Sequence, residues 1–76
     1  MNKDRRANIQ TLSEKLAELR SEIETLRDEE QDYFDNTHDG LKSSEKGENA
    51  ETAISALDSA ISNVETAIEE LDLASQ

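Results

Sequence analysis

Two runs of aliphatic residues, each stepping alternately by three and four positions, constrain this chain more than any other feature. The first falls at Ile9, Leu12, Leu16, Leu19, Ile23 and Leu26, and Tyr33 continues it after Glu30 interrupts the series. The second falls at Ile54, Leu57, Ile61, Val64, Ile68 and Leu71. A repeat of 3.5 residues gathers side chains on one face of an α-helix, whereas a strand would need alternation at every second residue. Two amphipathic helices are therefore expected, over about residues 5–34 and 46–74.

Between them lie Asp35-Asn36-Thr37-His38-Asp39-Gly40 and Lys42-Ser43-Ser44-Glu45-Lys46-Gly47. Asn36 and both glycines read as helix stop signals, and Ser44 or Asn49 as the N-cap of the following helix. A short polar connection over residues 35–45 folds two long helices back on each other, so residues 1–76 should form one all-α domain, an antiparallel hairpin.

The second run contains three aligned units, Ala53–Ser59, Ala60–Thr66 and Ala67–Leu73, each opening on alanine. Small side chains beside a seam let a further helix approach and widen the apolar stripe beyond a two-helix contact. With 76 residues and no cysteine, the chain has neither a large core nor disulfides to stabilise it. One exposed hairpin does not offset the conformational entropy of ordering two long helices. The twelve aliphatics are therefore expected to serve as a self-association seam, most simply in a homodimer that forms a four-helix bundle with coiled-coil-like packing. A higher oligomer and a hairpin completed by another protein are the alternatives.

The formal net charge is −11, from 19 acidic against 8 basic residues, which argues against direct binding to nucleic acid or anionic membrane. The charge is unevenly spread. The first helix mixes Lys15, Arg20 and Arg27 with Glu14, Glu18, Glu22 and Glu24, whereas Asp28, Glu29, Glu30, Asp32, Asp35 and Asp39 cluster towards the turn. The second helix carries Glu48, Glu51, Asp58, Glu65, Glu69, Glu70 and Asp72 and reads as having no basic residue at all. On a structural reading these are solvated faces, with Arg20 and Arg27 pairing to carboxylates of the other helix. On a functional reading, Asp28, Glu29, Asp32, Asp35, Asp39, Glu51, Asp58, Glu65, Glu69, Glu70 and Asp72 form an acidic surface that attracts a basic partner, as phosphates would.

Signals for chemistry are weak. Asp35, Thr37, Asp39 and Gly40 match the opening of a helix-loop-helix calcium loop, but Lys46 stands where its bidentate acid belongs and Lys42 where an aliphatic belongs. Asp35 and His38 have the acid-to-histidine spacing of di-iron bundles, yet the second helix offers no histidine to complete such a site, so His38 reads as an exposed loop residue. Without a cysteine nucleophile, a phosphate-cradling glycine loop or a partnered histidine, the chain reads as a non-enzyme with no cofactor and no resident metal. Tyr33 and Phe34 read as caps on the hairpin end, or else as a partner contact.

No apolar run approaches the roughly 18 residues that span a bilayer, and the start Met1-Asn2-Lys3-Asp4-Arg5-Arg6 leads into no signal-peptide core. The expectation is a soluble, cytoplasmic protein without a membrane partner.

The segment Leu26-Arg27-Asp28-Glu29-Glu30-Gln31-Asp32-Tyr33-Phe34-Asp35-Asn36, then Ser44-Glu45-Lys46-Gly47-Glu48 and the Ala-Ile heptads, resembles the small acidic hairpin proteins of phages and prophages. The chain departs from them at Thr37-His38-Asp39, where a proline-containing turn is more usual. The resemblance implies a phage accessory protein acting in a bacterial cytoplasm, and carries over no site residues. Three functions are then expected in order: an inhibitor or nucleic-acid mimic binding a host defence or DNA-handling protein, a structural oligomerisation module, and an oligomeric sponge for a nucleotide-like ligand gripped by Lys3, Arg5 and Arg6.

Overall fold

The computed structural model describes residues 2–37, 40 and 43–76. It is an all-α hairpin of two long helices, α1 (Lys3–Asp35) and α2 (Glu45–Ala74), which pack together along their lengths. Both helices are longer than their heptads require. Asn2 caps α1, its Oδ1 accepting the Arg5 backbone N–H at 2.7 Å, and this begins the helix two residues before the expected start. At the other end Asn36 takes the C-cap position, and its backbone N–H donates to the Asp32 carbonyl at 3.0 Å. Thr37 continues the closure, its hydroxyl donating to the Tyr33 carbonyl at 2.7 Å.

Of the two N-cap candidates for α2, Ser44 occupies the position, with extended backbone and its carbonyl accepting the Glu48 N–H at 3.0 Å. Asn49 lies inside the helix. Gly47, expected as a stop signal, also lies inside α2, in its first turn, and is buried. The reason is packing: Gly47 and Ala50, one turn apart, present almost no side chain and are the two residues of α2 that the structure buries. Ala50, at 2% exposure, is the one buried apolar residue among those described. Lys46 likewise falls within α2, so its first turn is not wholly acidic.

The molecule is a rod of 58 × 14 × 12 Å with a radius of gyration of 17.2 Å. A compact domain of this length would have a radius of about 11 Å. There is accordingly no central core, only a seam.

The seam is asymmetric. On α2 all six aliphatics of the repeat, Ile54, Leu57, Ile61, Val64, Ile68 and Leu71, are half-buried, as are Ala53, Ala60 and Ala67 beside them. On α1 only one of the two heptad rows faces the partner helix: Ile9, Leu16 and Ile23 are half-buried, while Leu12, Leu19, Leu26 and Tyr33 remain 51%, 50%, 57% and 51% exposed. The reading of α1 as a single seam therefore divides into an inner and an outer row.

The burial at Gly47 and Ala50 is testable. Ala50→Leu overpacks it and should destabilise the hairpin by about 1–3 kcal/mol, whereas Ala56→Leu, on the exposed face of α2, should change stability little. Denaturation followed by far-ultraviolet circular dichroism at one protein concentration distinguishes the two; equal effects would show that burial is not what limits residue size there.

Candidate functional site

Polar side chains, not leucines, fill the places between and beyond Ile9, Leu16 and Ile23 on the face of α1 that meets α2. Ser13 is buried, and its hydroxyl donates to Asp72 Oδ1 at 2.8 Å. Arg20 Nη1 lies 3.9 Å from Glu65 Oε1. Arg27 Nε donates to Asp58 Oδ1 at 2.9 Å. Each step of seven up α1 meets a step of seven down α2, which is the signature of one antiparallel heptad register.

The rungs differ in quality. Arg27 also donates through Nη1 to Asp28 Oδ1 at 3.2 Å, so one guanidinium bridges two carboxylates. Its hydrogen bond to Asp58, then that to Asp28, raises its pKa above the usual arginine value. A raised pKa on a cation stabilises the fold at every pH below the unfolded value and loses that effect only as pH rises through the folded one, so this rung holds throughout the neutral range. Arg20 is held more loosely. Its Nε sits 3.6 Å from Glu24 Oε1, within ion-pair range but too far for a hydrogen bond, and that nitrogen is shut off from solvent without a hydrogen-bond partner.

The ladder divides the expected acidic surface in two. Asp58, Glu65 and Asp72 belong to it and meet residues of α1 across the hairpin, though each is exposed. Asp28 leans on Arg27, and Asp35 accepts the Gln31 amide at 2.9 Å. Glu29, Asp32, Glu51, Glu69 and Glu70 are exposed and make no ion pair among the described residues. Asp39 lies outside the described residues, as does His38.

The free carboxylates do not form one patch. The register sets Glu69 and Glu70 level with Leu16 and Lys15, near the middle of α1, while Glu29 and Asp32, with the engaged Asp28 and Asp35, stand at the turn end with Glu51. The turn end is the denser. Asp28, Glu29, Glu30, Asp32 and Asp35 occupy a stretch of α1 about 10 Å long, one carboxylate per roughly 2 Å; with Arg27 paired to Asp28 the net is one charge per about 3 Å, against ~1.7 Å in duplex DNA. Beside them an open groove is lined by Glu30, Tyr33, Lys46, Asn49 and Ala50. Tyr33 forms one wall of it, and Phe34 is half-buried.

For metal chemistry the described residues offer no cluster of three or more His, Cys, Asp or Glu side chains placed to hold an ion. Of the suspected calcium loop, Asp35 and Thr37 are engaged in the hydrogen bonds given above, and Asp39, Leu41 and Lys42 lie outside the described residues. No helix among the described residues is long and apolar enough to cross a membrane. Lys3, Arg5 and Arg6 are exposed on the first turn of α1, which the register carries past the end of α2, at the pole opposite the acidic turn.

The pairing of Arg20 and Arg27 with the other helix was readable from charge and periodicity. Ser13 was missed because a lone serine carries no charge signal; its seven-residue spacing from Arg20 would have found it. Comparisons with known proteins find no matching family model, no matching curated protein and no matching solved structure.

The ladder predicts a register-specific rescue. Arg27→Glu should lower the melting temperature by placing like charges opposite each other, and adding Asp58→Arg should recover part of the loss. Adding Asp72→Arg instead, two rungs away, should not; thermal melts of the three variants that ranked otherwise would contradict the register.

Proposed function

We propose that this chain is a non-enzymatic binding module of the phage accessory type, which inhibits a basic, nucleic-acid-handling host protein through its acidic turn. The observation that carries this reading is the run of carboxylates along residues 28–35, whose net charge density with Arg27 included is about half that of duplex DNA, on a rod narrow enough to enter a cleft. Averaged over the whole rod the net charge of −11 spans 58 Å, or about one charge per 5 Å, roughly a third of the density of DNA. Mimicry of phosphates is therefore a property of the turn end rather than of the full length. Lys and Arg side chains that grip phosphate respond to carboxylates by the same long-range attraction, and helical carboxylates are held at fixed spacing.

The exposed row Leu12, Leu19, Leu26 and Tyr33 favours a second reading, in which the hairpin is an oligomerisation module. The two are compatible, because Leu12, Leu19 and Leu26 lie outside the acidic stretch and the surfaces meet only at Tyr33, which lines a groove with Glu30. No comparable observation gathers Lys3, Arg5 and Arg6 into a ligand pocket, so the sponge reading ranks last.

Tagged protein incubated with a bacterial lysate should retain basic, nucleic-acid-binding proteins at about 50 mM salt and release them by about 500 mM, and duplex DNA should compete. The variant Asp28→Asn, Glu29→Gln, Asp32→Asn, Asp35→Asn should lose that retention. If nothing basic is held at low salt, or the neutralised variant retains the same proteins, the acidic turn is not the binding surface.

A further inference from the structure

The ion-pair ladder and the exposed leucines lie on opposite flanks of the hairpin, and this follows from helical geometry. Along α1 each residue turns about 100°, so Leu19 and Arg20 fall on either side of the stripe formed by Leu16 and Ile23. On α2, Ala67 and Glu65 fall likewise on either side of Val64 and Ile68. In an antiparallel pair, the flank that joins Arg20 to Glu65 leaves the outer leucines of α1 and the alanines of α2 together on the other side. The same register sets Leu12, Leu19, Leu26 and Tyr33 within one residue of the levels of Ala74, Ala67, Ala60 and Ala53. One flank is thus ionic, and the other is a strip of large apolar residues beside a strip of small ones.

The strip is long, and the total surface of the chain is informative. Four outer-row residues at seven-residue intervals span about 32 Å. The chain exposes 5594 Å² of accessible surface, whereas a compact monomer of 8.5 kDa would expose about 4650 Å². The excess of roughly 900 Å² is close to the ~800 Å² that each partner buries in a stable protein–protein interface. The elongated hairpin thus exposes, over the whole rod, an excess of surface comparable with what one dimer interface removes.

We propose that the occupant of this apolar flank is the same flank of a second copy. A two-fold axis running parallel to the rod brings the leucine strip of α1 against the alanine strip of the partner's α2, so large side chains meet small ones at every level and the gap closes evenly. An axis across the rod would stack leucine on leucine and alanine on alanine, and the two halves could not both close. All neighbouring helices in the resulting four-helix bundle are antiparallel. The two acidic turns come to the same pole, on opposite faces of a bundle about 20 Å thick, far enough apart for salt of physiological strength to screen their repulsion. This inference stands independently of which protein the acidic turn engages.

Sedimentation of the wild-type chain at tens of micromolar is expected to give about twice the 8.5 kDa chain mass. Leu19→Glu with Leu26→Glu should weaken the dimer at least about a hundredfold, while Ser21→Glu with Thr25→Glu, the same added charge on the outward face of α1, should leave it intact. Because a separated hairpin can unfold, a second measurement uses chains that keep the flank apolar. The chain contains no cysteine, so Leu26→Cys mixed with Ala60→Cys and oxidised should give a covalent heterodimer. A folded wild-type monomer, or a charged pair that leaves the dimer unchanged, overturns the interface. Cross-linking of Leu26→Cys to Leu19→Cys in place of Ala60→Cys overturns the docking of leucine on alanine.

Discussion

Ser13, Arg20 and Arg27 occupy the positions on α1 that rotate it relative to α2. Each has a hydrogen-bonding or ionic partner at the matching level of α2, and satisfying all three turns one heptad row of α1 inward and the next outward. Most of the remaining structure follows from that rotation. The half-buried aliphatic row, the exposed leucines and the half-buried alanines of α2 are consequences of a single angular choice. Exposed ion pairs contribute modest energy individually, about 0–1 kcal/mol, so the ladder is better understood as setting orientation than as supplying stability. Stability must come from apolar surface, and much of that surface faces away from the hairpin's own seam.

The arrangement separates two properties that compete on a small rod. Carboxylates along the outer surface carry a field concentrated at the turn, while the aliphatic strip leaves large apolar side chains exposed on one flank. Because they occupy different flanks, a partner attracted to one need not disturb the other. The basic first turn of α1 lies at the far pole, so the rod is polar along its axis as well as across its width.

Periodicity made the two helices and their antiparallel order legible, because a 3.5-residue repeat over several turns admits only one regular structure. Helix ends were less legible. Gly47 reads locally as a breaker, yet a glycine that lets another helix approach is retained inside α2, and only the packing reveals which role prevails. The split of the α1 seam was not legible from the aliphatics, since their spacing says which residues share a face but not what that face meets. The exposure of Asp28, Glu29 and Asp32 could be read from their positions off the seam; the engagement of Asp58, Glu65 and Asp72 in the ladder required the register.

That ladder repeats with the period of the seam itself, and the repetition leaves an ambiguity in the sliding coordinate. Moving α2 by one heptad, about 10 Å, would set Arg20 opposite Asp58 and Arg27 opposite Glu51, again arginine against carboxylate, with aliphatics still facing aliphatics. Neither the ladder nor the seam distinguishes the two settings. The vernier is broken only at the turn end, where Gly47 and Ala50 are the buried residues of α2 and the connection between the helices has a fixed length. The hairpin is therefore indexed from one end, like a ratchet with identical teeth and a single stop.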